Sequence, residues 1–243
     1  MTPPAPDRHP VRVRNTRHDD IPAIRRLSKA VYPHDQHPWD HHYLDSHLRV
    51  FPRGQLVAVR ADDDRRVLGM ASSLIVDWDE YAFQTTWMAM TEGGYFTNHD
   101  PAGHTLYGAE VMVHPDSQGM GVGKAIYAAR RNLCRDLGLR RIRAGARLRG
   151  YGQFADHLSP EQYVVEVVNR RIGDPTLTFQ LKQGFRVIAV VHNYLAYDPA
   201  SRGHAAVIEW VNTQIVPRRE LRQRDPRFAR RRRPAQFRRT PRP

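Results

Sequence analysis

Between residues 111 and 125 the chain reads VMVHPDSQGMGVGKA, and here residue types and spacing could do chemistry. Apolar side chains alternate up to Val113, Pro115 stops the alternation, and Gly119, Gly121 and Gly123 follow at every second position. Glycine has no side chain, so successive backbone N–H groups can come close to a ligand. An amphipathic run starts directly after the loop. The first N–H groups of a helix are unpaired and lie at its positive dipole end. Strand, glycine loop and helix start, in this order, predict an anion site suited to a diphosphate.

Two familiar phosphate loops fail on spacing. A P-loop ending at Gly123-Lys124 needs glycine at 118 and Ser or Thr at 125, where the chain has Gln118 and Ala125. A dinucleotide fingerprint starting at Gly119 needs a glycine where Lys124 stands, and normally follows the first strand of a βαβ unit. The segment instead resembles the Q/R-x-x-G-x-G/A loop of the GNAT superfamily, the acetyl-CoA-dependent acyltransferases. It stands here as Gln118-Gly119-Met120-Gly121-Val122-Gly123, after the apolar run that ends at Pro115. The resemblance extends through most of residues 11–211, and Leu177 to Phe185 looks like the late family helix that ends in a Gly-Phe pair. Segments 78–107 and 147–163 resemble the acetyltransferase-like domain fused to carbon–nitrogen (nitrilase-like) hydrolases in some bacteria. This chain would be a stand-alone relative, with its Arg-rich tail in the place of the linker.

The resemblance implies acetyl-CoA as cofactor. Backbone donors of Gln118, Gly119, Met120, Gly121, Val122, Gly123 and Lys124 would hold its pyrophosphate. Val111, Met112 and Val113 would pair with the pantetheine arm, and a backbone N–H there would polarise the thioester carbonyl. The acceptor, an amine on a small molecule or a protein, would attack directly, which calls for a base and for a proton on the departing thiolate. Glu110 is the expected base, with His114 second. The family's usual acid, a Tyr four residues before the Gly-Phe glycine, is Gln180 here, and the Asn near the start of that helix is missing. Tyr151 or Tyr163 would substitute, with Tyr151 taken as the catalytic residue; solvent can also protonate a thiolate. Gln180 keeps open a second reading, a non-catalytic acyl-CoA-binding or regulatory domain.

Several elements must position these residues. Period-two patterning predicts a strand over 11–16, and Asp19 or Asp20 followed by Pro22 predicts a helix with Ile21, Ile24, Leu27, Ala30 and Val31 on one face. A second short helix is expected over 39–50, then strands 56–61 and 67–78 joined at Asp62-Asp63-Asp64. Residues 79–104 read as an excursion before a strand over 105–113. A helix over 121–137, capped by Gly138, leads to a strand over 139–148. A helix opening at Ser159-Pro160-Glu161, another over 175–183, and strands 185–191 and 205–211 complete the order. This order predicts an α/β (α+β) fold, a mixed and mostly antiparallel sheet with helices on both faces. The resemblance adds that the sheet splays at the cofactor site.

The net charge is +13, but residues 217–243 hold twelve Arg against two acids, so the tail carries +10 and residues 1–216 only +3. The expected organisation is a flexible Pro-rich leader (1–10), one domain (11–216) and a disordered Arg/Pro-rich tail (217–243). A weak nucleic-acid contact through that tail is a third reading. No apolar run is long enough to span a membrane, and the N-terminus lacks a secretory pattern. Cys134 stands alone, so no internal disulfide is expected and the predicted compartment is a reducing cytoplasm. Histidines 34, 37, 41, 42 and 47 crowd one region, but Pro38 breaks the His37/His41 spacing, and no metal is predicted. The expected assembly is a monomer or homodimer.

Overall fold

The computed structural model describes residues 10–33, 39–82, 84–196, 198–217, 221 and 225–229. Seven strands form one sheet: β1 (Val11–Asn15), β2 (Leu56–Arg60), β3 (Asp63–Val76), β4 (Thr105–Val113), β5 (Arg141–Arg147), β6 (Arg186–Val191) and β7 (Ala205–Val211). Their spatial order is β1-β2-β3-β4-β5-β7-β6, antiparallel throughout except for the parallel pair β4–β5. The helices are α1 (Ile21–Val31), α2 (His41–Val50), α3 (Trp87–Met90), α4 (Val122–Asp136), α5 (Pro160–Val168) and α6 (Leu177–Lys182).

Alternation along the strands sends neighbouring side chains to opposite faces. Val57 and Val59 join a core with Ile24 and Leu27 of α1 and Leu44 and Leu48 of α2. Leu56 and Ala58 pack on the other face against Val122 and Ile126 of α4. The flank of α4 bearing Tyr127 and Cys134 joins α5, α6 and the inner side of β5–β7. Local signals set the ends: Ser159 and Gln162 form a capping box at α5, and Gly138, at φ 64°, ends α4. Strand β3 starts at Asp63, so Asp63 and Asp64 lie within a strand and not in the expected turn. The Asp64 carboxylate takes Arg12, Arg14 and Arg17 at 2.7, 2.8 and 3.1 Å, tying β1 to β3 across β2.

Two features of β4 make a cleft. It pairs with β5 only over Thr105–Tyr107, opposite Arg141–Arg143, and beyond these residues the strands part. A bulge also interrupts its ladder with β3: Ser72 faces Glu110 and Ser73 faces Gly108, leaving Ala109 as the extra residue. The buried Arg130 of α4 supports the bulge, its Nη2 donating to the carbonyls of Ser72 (2.9 Å) and Glu110 (2.8 Å). A Cβ on Gly108 would stand 2.8 Å from this guanidinium, so the close approach requires glycine there.

The expected disordered arm does not hold for residues 225–229. Pro226–Phe228 form a short 3₁₀ turn, and Phe228 is buried in the core shared by α5 and β6. The rest of the tail apart from Pro217 and Leu221, the leader up to residue 9, and His34 and His37 lie outside the described residues. Among the described residues no helix is long and apolar enough to cross a membrane, and no three His, Cys, Asp or Glu side chains are placed to share a metal ion.

Candidate active site

The glycine loop runs from the end of β4 into α4. Gly119 and Gly121 have φ of 80° and 86°, the left-handed region that glycine adopts without cost. A Cβ on either would meet nothing within 4 Å, so both face open space. Among the described residues the N–H groups of Gly119, Gly121, Val122, Gly123 and Lys124 have no acceptor within the protein. Unpaired donors on an open loop at a helix start fit a diphosphate. Gly123 has a different reason. Its Cβ would lie 2.9 Å from Cζ of Phe179, so it lets α4 and α6 pack rather than clearing space for a ligand.

Glu110 sits on the bulge with its carboxylate held from three sides. Oε1 accepts from the Tyr32 hydroxyl (3.1 Å) and the Val111 N–H (2.9 Å), and Oε2 accepts from the indole N–H of Trp39 (3.2 Å). Burial pushes its pKa up; the bonds from Trp39, Val111 and Tyr32 and the charge of Arg130 pull it down, and the net shift is upward. Of the backbone N–H groups of Val111 to Val113, one of them expected to polarise a thioester, that of Val111 is thus taken by the side chain of Glu110. His114 caps the turn that follows β4, its Nδ1 accepting from the Asp116 N–H at 3.3 Å.

The expected acids stand elsewhere in the scaffold. The Tyr151 hydroxyl donates to the Leu158 carbonyl at 3.0 Å, and that of Tyr163 to Asp174 at 2.9 Å. Asp174 also accepts from the N–H groups of Gly150 (2.9 Å) and Leu177 (2.7 Å), so this network pins the segment before α6. Gln180 is buried and donates through Nε2 to the Tyr127 hydroxyl at 2.9 Å. Cys134 is buried and its thiol is pushed up to about 12, which fits its packing role.

Sequence reasoning did not find Tyr32, Trp39, Trp87, Tyr194 or Arg130. Tyr32 and Trp39 follow α1 and reach Glu110 from 78 and 71 positions away, a contact that no local pattern encodes. Trp87, at the start of α3, donates its indole N–H to the Ala109 carbonyl and its backbone N–H to the Tyr194 carbonyl, both at 3.0 Å. The excursion therefore braces the bulge. Tyr194, after β6, shares a hydrogen bond between hydroxyls with Tyr107 of β4. Arg147 ends β5 in an ion pair with Asp198.

The chain matches the acetyltransferase (GNAT) family model over residues 21–150. It is 33% identical over 203 residues to the uncharacterized N-acetyltransferase YkwB of Bacillus subtilis (strain 168), covering 82% of this chain and 88% of that one. It is 39% identical over 210 residues to the probable hydrolase YhcX of the same organism; the match covers 86% of this chain but spans only 40% of that longer protein. The solved loading GNATL domain of CurA from Lyngbya majuscula shares the fold, with a TM-score of 0.71 at 16% identity over 83% of this chain and 98% of that one. A sheet that parts between β4 and β5, an open glycine loop at the start of α4, and these matches together place the chain in the GNAT family of acetyltransferases, whose acyl donor is acetyl-CoA.

Proposed function

We propose that the chain transfers an acetyl group from acetyl-CoA to a primary amine by direct attack, with Glu110 as the base. One observation carries this reading: a half-buried carboxylate sits on the bulge of β4, where the sheet opens, held in place by Tyr32 and Trp39. When bound, acetyl-CoA supplies an acyl group activated as a thioester. The N–H groups of Gln118 and Met120 are taken by the carbonyls of Pro115 and Ser117, so the free ones of Gly119 and of Gly121 to Lys124, with the dipole of α4 behind them, would hold the pyrophosphate, and Val111, Met112 and Val113 would line the arm. The raised pKa of Glu110 brings the carboxylate closer to an ammonium in proton affinity, which eases the transfer. The Val111 N–H serves a thioester carbonyl only after Glu110 releases it, so donor binding would also free Oε1 to take the proton of the amine. Gln180 has no titratable proton, and the hydroxyls of Tyr151 and Tyr163 are committed to their carbonyl and carboxylate partners. Solvent therefore protonates the thiolate.

The acceptor is an amine on a small molecule or a protein. Gln180 bonded to Tyr127 favours one competing reading, an acyl-CoA-binding domain without turnover. The match to part of YhcX supports kinship with acetyltransferase-like domains joined to hydrolases. A lone buried thiol fits a reducing cytoplasm, with the protein as a monomer or homodimer. The Arg-rich tail would add a weak, salt-sensitive nucleic-acid contact. The deciding experiment measures acetyl-CoA affinity and acetyl transfer to a broad amine panel on the wild type and Glu110→Gln. Transfer that depends on Glu110 supports the enzyme; tight binding with no turnover on any amine supports the competing reading.

A further inference from the structure

The point where β4 and β5 part is filled by a side chain from neither strand. Tyr107 is the last residue of β4 paired with β5, and its hydroxyl bonds to that of Tyr194. Tyr194 lies flat over Gly145 of β5: a Cβ there would stand 2.1 Å from Cζ of Tyr194 and 2.4 Å from its hydroxyl oxygen. Gly145 is glycine because this ring takes the place of its side chain. Both tyrosines are buried, and the Tyr194 carbonyl is fixed by the Trp87 N–H at 3.0 Å. The ring is a rigid plug.

The glycine loop follows the C-terminal end of β4. A pantetheine arm leaving it along β4 passes Val113 and Val111, reaches the bulge at Ala109, and then points at Tyr107 and Tyr194. We propose that Tyr194, braced by Tyr107 and seated on Gly145, is the end-stop that limits the acyl group to a short chain. This rests on the reading of the opening between β4 and β5 as the acyl-CoA cleft.

The test is calorimetric titration of wild type, Tyr194→Phe and Tyr194→Ala with CoA, acetyl-CoA, butyryl-CoA and hexanoyl-CoA. Wild type and Tyr194→Phe should bind hexanoyl-CoA at least about tenfold more weakly than acetyl-CoA, because each methylene that does not fit is heavily penalised. Tyr194→Ala should narrow that gap to about threefold or less while plain CoA binds as before. Tyr194→Leu, shorter but apolar, takes the same role if the alanine variant does not fold. Equal affinity of wild type for hexanoyl-CoA and acetyl-CoA, or an unchanged gap in a folded Ala or Leu variant, overturns the end-stop alone. Failure of plain CoA to bind wild type overturns the cofactor reading and the end-stop with it.

Discussion

Nε2 of Gln180 donates to the hydroxyl of Tyr127 at 2.9 Å, while the Oε1 of the same amide is buried with no partner among the described residues. One half of the amide stabilises the contact between α4 and α6, and the other half costs desolvation. A net hydrogen bond contributes about 1 kcal/mol, and an unsatisfied buried acceptor costs about 1–3 kcal/mol. Gln180→Leu removes that orphan but leaves the buried Tyr127 hydroxyl without its partner, so the two effects should offset to within about 2 kcal/mol in urea denaturation. A loss above about 3 kcal/mol would mean that Oε1 has a partner, such as an internal water.

Gly121 and Gly123 should separate binding from packing. Gly121→Val strains a left-handed residue by about 1–2 kcal/mol and covers the open loop, so it should stay folded yet lose the rise in melting temperature with acetyl-CoA. Gly123→Ala pushes on Phe179 and should cost about 1–3 kcal/mol of stability, with the acetyl-CoA shift largely kept. Thermal melts with and without acetyl-CoA check both.

Glu110 should show itself in pH dependence. Its folded pKa lies above the ordinary 4.5, so the fold favours the protonated carboxyl. That contribution is full below the ordinary value and is lost as pH rises through the folded one. The melting temperature of wild type, compared with that of Glu110→Gln, should fall across this window. Transfer should rise with ionisation of the same group, and the Gln variant should lose a factor on the order of 10²–10⁴. An active Gln variant with an unaltered pH profile would make Glu110 structural only.

Phe228 is buried although it lies beyond residue 216, so truncations at 216 and at 229 should behave differently. A chain ending at Ala229 should melt like the full protein, whereas one ending at Val216 leaves the place of Phe228 empty and should lose about 3 kcal/mol. The seven Arg of residues 230–243 would be absent from both, so RNA retention at low salt should fall in each.

Much of this was legible in the sequence because it is local. Strand β7 falls on residues 205–211 as expected, Pro22 stands in the first turn of α1 although the Asp20 carboxylate takes Arg14 and the Arg17 N–H instead of capping the helix, and Gly119 and Gly121 stand where a loop opening a helix needs them. What escaped depends on distance along the chain. Glycine spacing could not reveal that Gly123 answers Phe179, nor the prolines of the tail that Phe228 is buried. The convergence of Tyr32 and Trp39 on Glu110 exists only once α1 lies across the sheet.

The three residue pairs that join β4 to β5 have a mechanical consequence. They are a seam: β1–β4 form one hydrogen-bonded leaf and β5–β7 the other, and beyond these pairs Tyr107 of β4 reaches across to Tyr194, which sits on Gly145 of β5. An occupant bonded to both leaves would supply the missing rungs. Amide exchange should then slow in Val111 and Val113, on the open edge of β4, when acetyl-CoA is added, while the outer strands β1 and β6 keep their rates.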